Sequence, residues 1–361
     1  MALWELDEFA GARFLGYVRG VPEDPAYRGA EWLPNQTTDD LAFEYIKGVR
    51  NRPVMAHVMG FDSEAPIAGR PGLGERVQGE LPPIKRKARI SEKEIIRFLQ
   101  PRTGSQDVRA AINSVYDLTD GLLGSVQARV EWLRLKALSE DTVVYNEDGV
   151  IFQFDYGIDG RFQYNLPTQT DGTGASIGSD VGPAWSDTAN ATPLVDLLFF
   201  QKRFRDATGY NLGEFVISNQ AWGYLLQNQS LRDLIRGVNA PSAILTRAEI
   251  EALFALYDLP VPTTYDVVLD REKPDGTIEQ VRPLAADRGF LLPTGGGVGN
   301  TLWGPTAESR ALIGTNLASQ APGIIAVTYA TEEPPAEWIK AAAVAFPTMP
   351  NAHLLSQVEL F

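Results

Sequence analysis

The chain reads as an α+β protein, with helices and strands mixed in no regular strand–helix–strand alternation. Three observations lead there. Val108, Ile112, Val115, Leu122, Val126, Val130, Leu133 and Ala137 recur at spacings of three and four, the mark of one long amphipathic helix in which Thr119 fills the single gap. Thr142-Val143-Val144-Tyr145 and Val150-Ile151-Phe152-Gln153-Phe154 flank a turn containing Asp148-Gly149, a β-hairpin signal. The stretch beyond mixes short helical and short β-rich patterns without an internal repeat.

Residues 1–53 read as an arm with little regular structure, punctuated by Gly20-Val21-Pro22, Asp24-Pro25 and Leu33-Pro34-Asn35. Trp4, Phe9, Phe14, Tyr17, Tyr27 and Trp32 are more aromatics than a free tail needs. They suit an arm laid across a partner, or equally packing on the chain's own core. Residues 54–104 have the pattern of a long hairpin: an apolar strand over 54–61, a glycine-rich tip at Gly69-Arg70-Pro71-Gly72, and a return arm ending near Ile90. An isolated two-stranded hairpin is marginal in water, so this one needs a surface to lie on. Its return arm carries Lys85, Arg86, Lys87 and Arg89. Three readings of that cluster stand: a phosphate-binding patch, a solvated basic face, or salt bridges to an acidic neighbouring subunit.

The long helix follows, opened by the capping-box spacing of Thr103 and Gln106. About 30 residues of helix span about 45 Å. Gly121 and Gly124 lie inside it, each costing about 1 kcal/mol relative to alanine. Either another element packs too closely for a side chain there, or the helix bends at that point. After a polar, glycine-rich loop (168–187), Thr192-Pro193 opens a helix carrying Leu194, Leu197, Leu198, Phe204 and Ala207, closed by Gly209. A strand over 215–218, short helices through Trp222 and Leu231, and a helix capped by Thr246 with Glu249 come next. Further strands are expected at 264–269, 288–292 and 324–329, with an alternating stretch at 338–346 before a last segment at 354–361.

Composition excludes several chemistries. The chain has no cysteine, so disulfides, thiolate metal sites and cysteine nucleophiles are ruled out. Its two histidines, His57 and His353, are far apart and sit in no recognisable triad or zinc spacing. No apolar run approaches the roughly 20 residues that cross a bilayer, and the acidic start, Met1-Ala2-Leu3-Trp4-Glu5, lacks signal-peptide layout. A net charge of −14 argues against a dedicated nucleic-acid binder and suits a protein soluble at high concentration. The charge is uneven: residues 54–104 hold nine Lys/Arg against six Asp/Glu, or +3, which leaves −17 for the rest. That contrast suggests pairing between neighbouring copies. Residues 295–301, Gly-Gly-Gly-Val-Gly-Asn-Thr, lack the lysine of a P-loop, and residues 302–305 read as extended rather than helical. Thr170-Asp171-Gly172-Thr173-Gly174 lacks the order of an aspartic protease. No catalytic constellation and no cofactor is expected, and the classes that remain open from composition are a soluble acidic hydrolase and a binding protein.

In sum of parts the chain resembles the major capsid proteins of the phage lambda type, which have the tailed-phage capsid fold often called the Hong Kong 97 fold. The resemblance rests on Trp132-Leu133-Arg134-Leu135-Lys136-Ala137-Leu138 followed by Phe152-Gln153-Phe154-Asp155-Tyr156-Gly157, and on Phe215-Val216-Ile217-Ser218 leading to Leu225-Leu226-Gln227-Asn228. It implies an N-terminal arm (1–53), an extended hairpin loop (54–104) over a neighbouring subunit, a peripheral domain (105–160 and 331–361) with a spine helix, and an axial domain (161–330). It also implies a virion protein made in the bacterial host cytoplasm and assembled with itself as pentamers and hexamers into an icosahedral shell around double-stranded DNA. A separate scaffolding protein, a portal and a maturation protease are the implied partners, with a decoration protein left open. Lys85, Arg86, Lys87 and Arg89 would then touch a neighbour, and Gly121 and Gly124 would form a hinge in the spine helix.

Overall fold

A computed structural model describes residues 11–47, 76–90, 105–147, 150–238, 244–273, 275–295, 297–311, 316–320, 322–333 and 336–361. The chain begins with α1 (Gly11–Gly20), α2 (Gly29–Trp32), β1 (Asn35–Thr37), β2 (Ala42–Ile46), β3 (Arg76–Glu80) and β4 (Pro83–Ile90). The long α3 (Ser105–Ser139) and the hairpin strands β5 (Thr142–Glu147) and β6 (Val150–Asp155) follow. A mixed region holds β7 (Gln163–Asn165), β8 (Thr170–Asp171), α4 (Pro193–Thr208), β9 (Leu212–Ile217), α5 (Asn219–Gln227), α6 (Gln229–Arg236), α7 (Arg247–Leu256), β10 (Pro262–Thr264), β11 (Leu269–Glu272), β12 (Ile278–Val281) and β13 (Arg288–Pro293). The chain closes with β14 (Asn300–Trp303), α8 (Ala307–Ala311), β15 (Asn316–Gln320), β16 (Ile324–Thr331), β17 (Ala336–Thr348) and β18 (Ser356–Glu359). Two compact units result: Met1–Glu44, Gln78–Arg134 and Asn300–Thr348 form one, and Tyr45–Val77, Leu135–Gly299 and Met349–Phe361 the other. Residues 300–330 fall in the first unit and 349–361 in the second.

The axis of the first unit is β17, a strand of 13 residues. Along one edge it pairs with β16, from Thr331↔Ala336 to Ile325↔Ala342. The other edge is shared in series, with β4 opposite Glu337 to Val344 and β14 opposite Ala345 to Thr348. Ile339, Ala341, Ala343 and Ala345 alternate onto one face and form a single core with Val115, Leu122, Leu123, Val126 and Val130 of α3. The alanine row is short enough to leave room for the branched side chains of the helix. The start of that helix at Ser105 leaves its expected cap, Thr103, outside the described residues.

The expected unstructured arm is corrected here: α1, α2, β1 and β2 give its described part regular structure. The cause is tertiary, and therefore absent from the local sequence. Val18 is fully buried in the α3 core, and Tyr17 lies 4.2 Å ring to ring from Tyr116 of α3 while its hydroxyl donates to Asp120 at 2.6 Å. Trp32 is buried, and β1 runs parallel to β14 from Asn35↔Thr301 to Thr37↔Trp303. These aromatics serve the chain's own core; Trp4 and Phe9 lie outside the described residues.

A buried ion pair ties this segment down. Glu131 and Arg134, one turn apart on α3, are 0% and 1% exposed. Glu131 accepts from the Gly29 N–H at 2.9 Å, and Arg134 donates through Nε to Thr301 Oγ1 at 2.9 Å and through Nη2 to Asn35 Oδ1. Asn35 Oδ1 also accepts from Trp303 Nε1 at 2.8 Å, and Thr301 Oγ1 donates to the Leu33 carbonyl at 3.0 Å. A Cβ on residue 29 would collide with the Glu131 carboxylate, so glycine is required there.

In the second unit the sheet order is β10-β9-β13-β18-β7-β8. The pairings β10–β9 and β18–β7 are parallel; β9–β13, β13–β18 and β7–β8 are antiparallel. The single strand expected at 264–269 is instead two. Parallel pairing of β10 with β9 ends at Thr264↔Ile217, and β11 then leaves to pair with β12. Local signals succeed elsewhere: Gly209 closes α4 with φ 89°, and Thr246 and Glu249 form the reciprocal capping box of α7. The hairpin β5–β6 has the register Thr142↔Asp155 to Glu147↔Val150, with residues 148–149 outside the described set.

The polar loop before α4 is anchored by Asp196, which is fully buried. Its carboxylate accepts from the Gly182 N–H at 2.7 Å, Trp185 Nε1 at 2.9 Å and Thr192 Oγ1 at 3.4 Å. Burial nevertheless dominates and pushes its pKa up from 3.8 to about 6.

Two outcomes are expected. Arg134→Met leaves Glu131 as an uncompensated buried charge and should cost about 3–5 kcal/mol in urea unfolding, much of it recovered in the double variant Glu131→Leu/Arg134→Met. For Asp196 the folded pKa is the higher one, so its contribution to stability is full below the unfolded value and is lost as pH rises through about 6. Asp196→Asn cannot follow that titration. The stability gap between wild type and this variant should therefore narrow by up to about 3 kcal/mol between pH 4 and pH 7.

Candidate assembly surfaces

Strand β4 carries the basic cluster. It pairs with β17 along one edge, and among the described residues no strand covers the other. Ile84, Ala88 and Ile90 turn toward the α3 core, so Lys85, Lys87 and Arg89 share the opposite face at period two. Lys85 Nζ lies 3.1 Å from Glu308 Oε1, which also receives Lys340 of β17. Burial would raise the Glu308 pKa, but the two ammonium groups outweigh it and hold the carboxyl near about 2. The Lys87 ammonium and the Arg89 guanidinium lie over the Trp338 ring, 4.6 and 5.9 Å from its centroid. Arg86 points to the other face of the strand and is exposed. Lys85, Lys87 and Arg89 thus have partners within the chain while remaining solvent-accessible. The first strand expected for the hairpin, 54–61, lies outside the described residues, and β3 pairs with β2.

Gly121 and Gly124 both fall on α3, at an exposed and a half-buried position. A Cβ built on either meets no heavy atom within 4 Å among the described residues. Close packing against the described residues therefore does not account for the two glycines.

Among the described residues the candidate chemical side chains are not brought together. His57 lies outside the described residues, and His353 sits in a 3-10 turn, Ala352–Leu354, with neither ring nitrogen hydrogen-bonded among them. Burial pushes the His353 pKa down, with Asp159 opposing. Asp171 is a turn anchor: it accepts from Thr173 and Ala175 N–H groups at 3.0 and 3.1 Å and from Arg203 Nη2 at 2.6 Å. Residues 300–303 of the glycine-rich stretch are strand β14. Among the described residues no group of three or more His, Asp or Glu could hold a metal, and no helix is long and apolar enough to cross a membrane. Sequence reasoning missed the buried charges Glu131, Arg134, Asp171 and Asp196, whose partners lie up to 167 residues away in the chain.

Two solved structures share this arrangement of elements. One is a prophage protein of Escherichia coli CFT073 assigned as a capsid protein, 16% identical with a TM-score of 0.53 over 80% of each chain. The other is a phage-related protein of Bordetella bronchiseptica RB50, 10% identical with a TM-score of 0.53, covering 95% of this chain and 94% of that one. At such identities the likeness defines the class by fold, the Hong Kong 97-type phage capsid fold. No curated protein sequence matches the chain. The family model of phage major capsid protein E matches residues 30–358, and the chain belongs to that family. It is a structural protein of the phage virion shell, and the competing hydrolase or binding-protein reading has no support from these comparisons.

Replacing Gly121 and Gly124 together with alanine should raise subunit stability by up to about 2 kcal/mol, because helix propensity improves and nothing obstructs the added carbons. Thermal melts of the double variant check this; a loss of stability would restore the close-packing account.

Proposed function

We propose that copies of this subunit gather as pentamers and hexamers and close into an icosahedral head that holds double-stranded DNA without reading its sequence. The observation that carries the reading is the family match over residues 30–358. The role is mechanical and needs no catalytic step or cofactor. A separate scaffolding protein, a portal and a maturation protease would act with it, with room for a decoration protein, and synthesis would take place in the bacterial host cytoplasm. The axial role is proposed for 161–330, of which 161–299 lies within one compact unit.

Within the shell, the outer face of β4 would meet a neighbouring subunit. Its cations remain exposed although partnered, and the chain they would meet carries −14. Gly121 and Gly124 would allow α3 to bend in the precursor shell and straighten later, as glycine positions in helices can.

Co-expressed with its scaffold, the protein should form closed particles, or related tubes and rings, visible by negative-stain microscopy. A monodisperse monomer under every condition would sink the reading. Arg86→Glu with Lys87→Glu should shift subunit stability by no more than about 1 kcal/mol, since exposed ion pairs and cation–π contacts contribute little. Assembly of that variant should fail or become salt-dependent, because like charges across an interface oppose association.

A further inference from the structure

Helix α4 buries Leu194, Leu197, Phe200, Gln201 and Phe204, and turns Val195, Leu198 and Lys202 outward. At about 100° per residue these three lie on one narrow arc of the helix. Val195 is 50% and Leu198 39% exposed. On one flank, Gln201 Nε2 donates to the Asp258 carbonyl at 3.3 Å, which draws the end of α7 against α4. That end presents Leu256 and Tyr257, 77% and 44% exposed. Asp258 holds it in a left-handed turn with φ 53°, a conformation uncommon outside glycine. On the other flank lies a cavity of about 580 Å³, lined in part by Phe199, Lys202, Arg203 and Asp206 of α4 and by Arg161 and Asp180.

Lys202 has no ion-pair or hydrogen-bond partner among the described residues, whereas Lys85, Lys136, Lys273 and Lys340 each pair with a carboxylate. Apolar side chains gathered in the open beside an uncompensated charge are the makings of a contact surface. We infer that this face of α4, with the end of α7 and the adjoining cavity, receives a second copy of the same chain. The inference rests on the shell-building reading and adds to it the surface by which copies meet. Charge decides the occupant. A second copy has 46 acidic against 32 basic residues and so offers carboxylates to Lys202. The cavity lining is balanced, with Arg161, Lys202 and Arg203 against Asp171, Asp180 and Asp206, and so offers a polyanion such as nucleic acid no net attraction.

The chain lacks cysteine, so Leu198→Cys creates a single reporter thiol on the full-length protein. The variant should react readily with a small maleimide as free subunits and at least about tenfold more slowly in assembled particles, because thiol reactivity depends on access. Particles in which it reacts as fast as in free subunits would overturn this inference alone. Failure of the wild-type chain to form any particle would overturn the shell reading and this inference with it. Lys202→Glu should leave the subunit's thermal melt unchanged and reduce particle yield, with Lys202→Arg restoring it. An undiminished yield with Lys202→Glu would overturn the role given to the lysine.

Discussion

The buried pair Glu131–Arg134 constrains the first unit more than any other contact. Removing two charges from water costs several kcal/mol per ion, and their mutual attraction offsets that only when the remaining donors and acceptors are also satisfied. Glu131 and Arg134 find those partners outside their own helix, at Gly29, Asn35 and Thr301. The helix can therefore be buried only if the N-terminal segment and β14 arrive together. This makes residues 29–37 an integral part of the unit's interior, and the parallel pairing of β1 with β14 is the backbone expression of the same requirement. Glycine at 29 follows too, because the carboxylate occupies the space a side chain would need.

With that segment committed to the interior, the surfaces left for partners are those whose side chains gain little from the subunit itself. The outer face of β4, proposed above to meet a neighbour, is one such candidate. Lys85, Lys87 and Arg89 are held in place by Glu308 and Trp338 yet stay in solvent, where each contact is worth little to folding. Charged residues on an exposed strand edge also discourage indiscriminate strand pairing. An edge of this kind associates only where a partner supplies opposing charge. The glycines of α3 belong to the same logic: they weaken the helix at positions where no described residue packs against them.

How much of this was legible in the sequence depends on the range of the interactions involved. The long helix, the β5–β6 hairpin, the αL closure at Gly209 and the Thr246–Glu249 capping box are written in residues within a few positions of each other. Those elements were read correctly. The N-terminal elements were not, because β1 acquires its pairing from Thr301 and Trp303, far away in the chain. The strand expected at 264–269 split because β10 finds β9 for only three residues before the chain turns to a new partner. Buried charges are the hardest case. Nothing beside Arg134 in the sequence distinguishes it from an exposed helix arginine, and only the fold reveals that its guanidinium is 1% exposed. The basic cluster on β4 was visible as a cluster, but its intrachain partners Glu308 and Trp338 were not.

The charge distribution links these levels to assembly. A subunit of net −14 repels its copies at long range, which keeps it soluble at high concentration, and that repulsion is screened beyond about 8–10 Å at physiological salt. Association must then come from short-range contacts that overcome a general barrier, and such contacts are selective by construction: only surfaces that bring cations to carboxylates or apolar groups together gain enough. The interior ion pairs contribute nothing to this balance, because Glu131, Arg134 and Asp171 are already neutralised within the fold. Among the described residues, cations on the β4 face and on α4 stay exposed on a subunit whose net charge is acidic. Attractive points on a repulsive background fix orientation, since a misdocked copy meets like charge. In a shell built from many identical contacts, that selectivity matters more than the strength of any one of them.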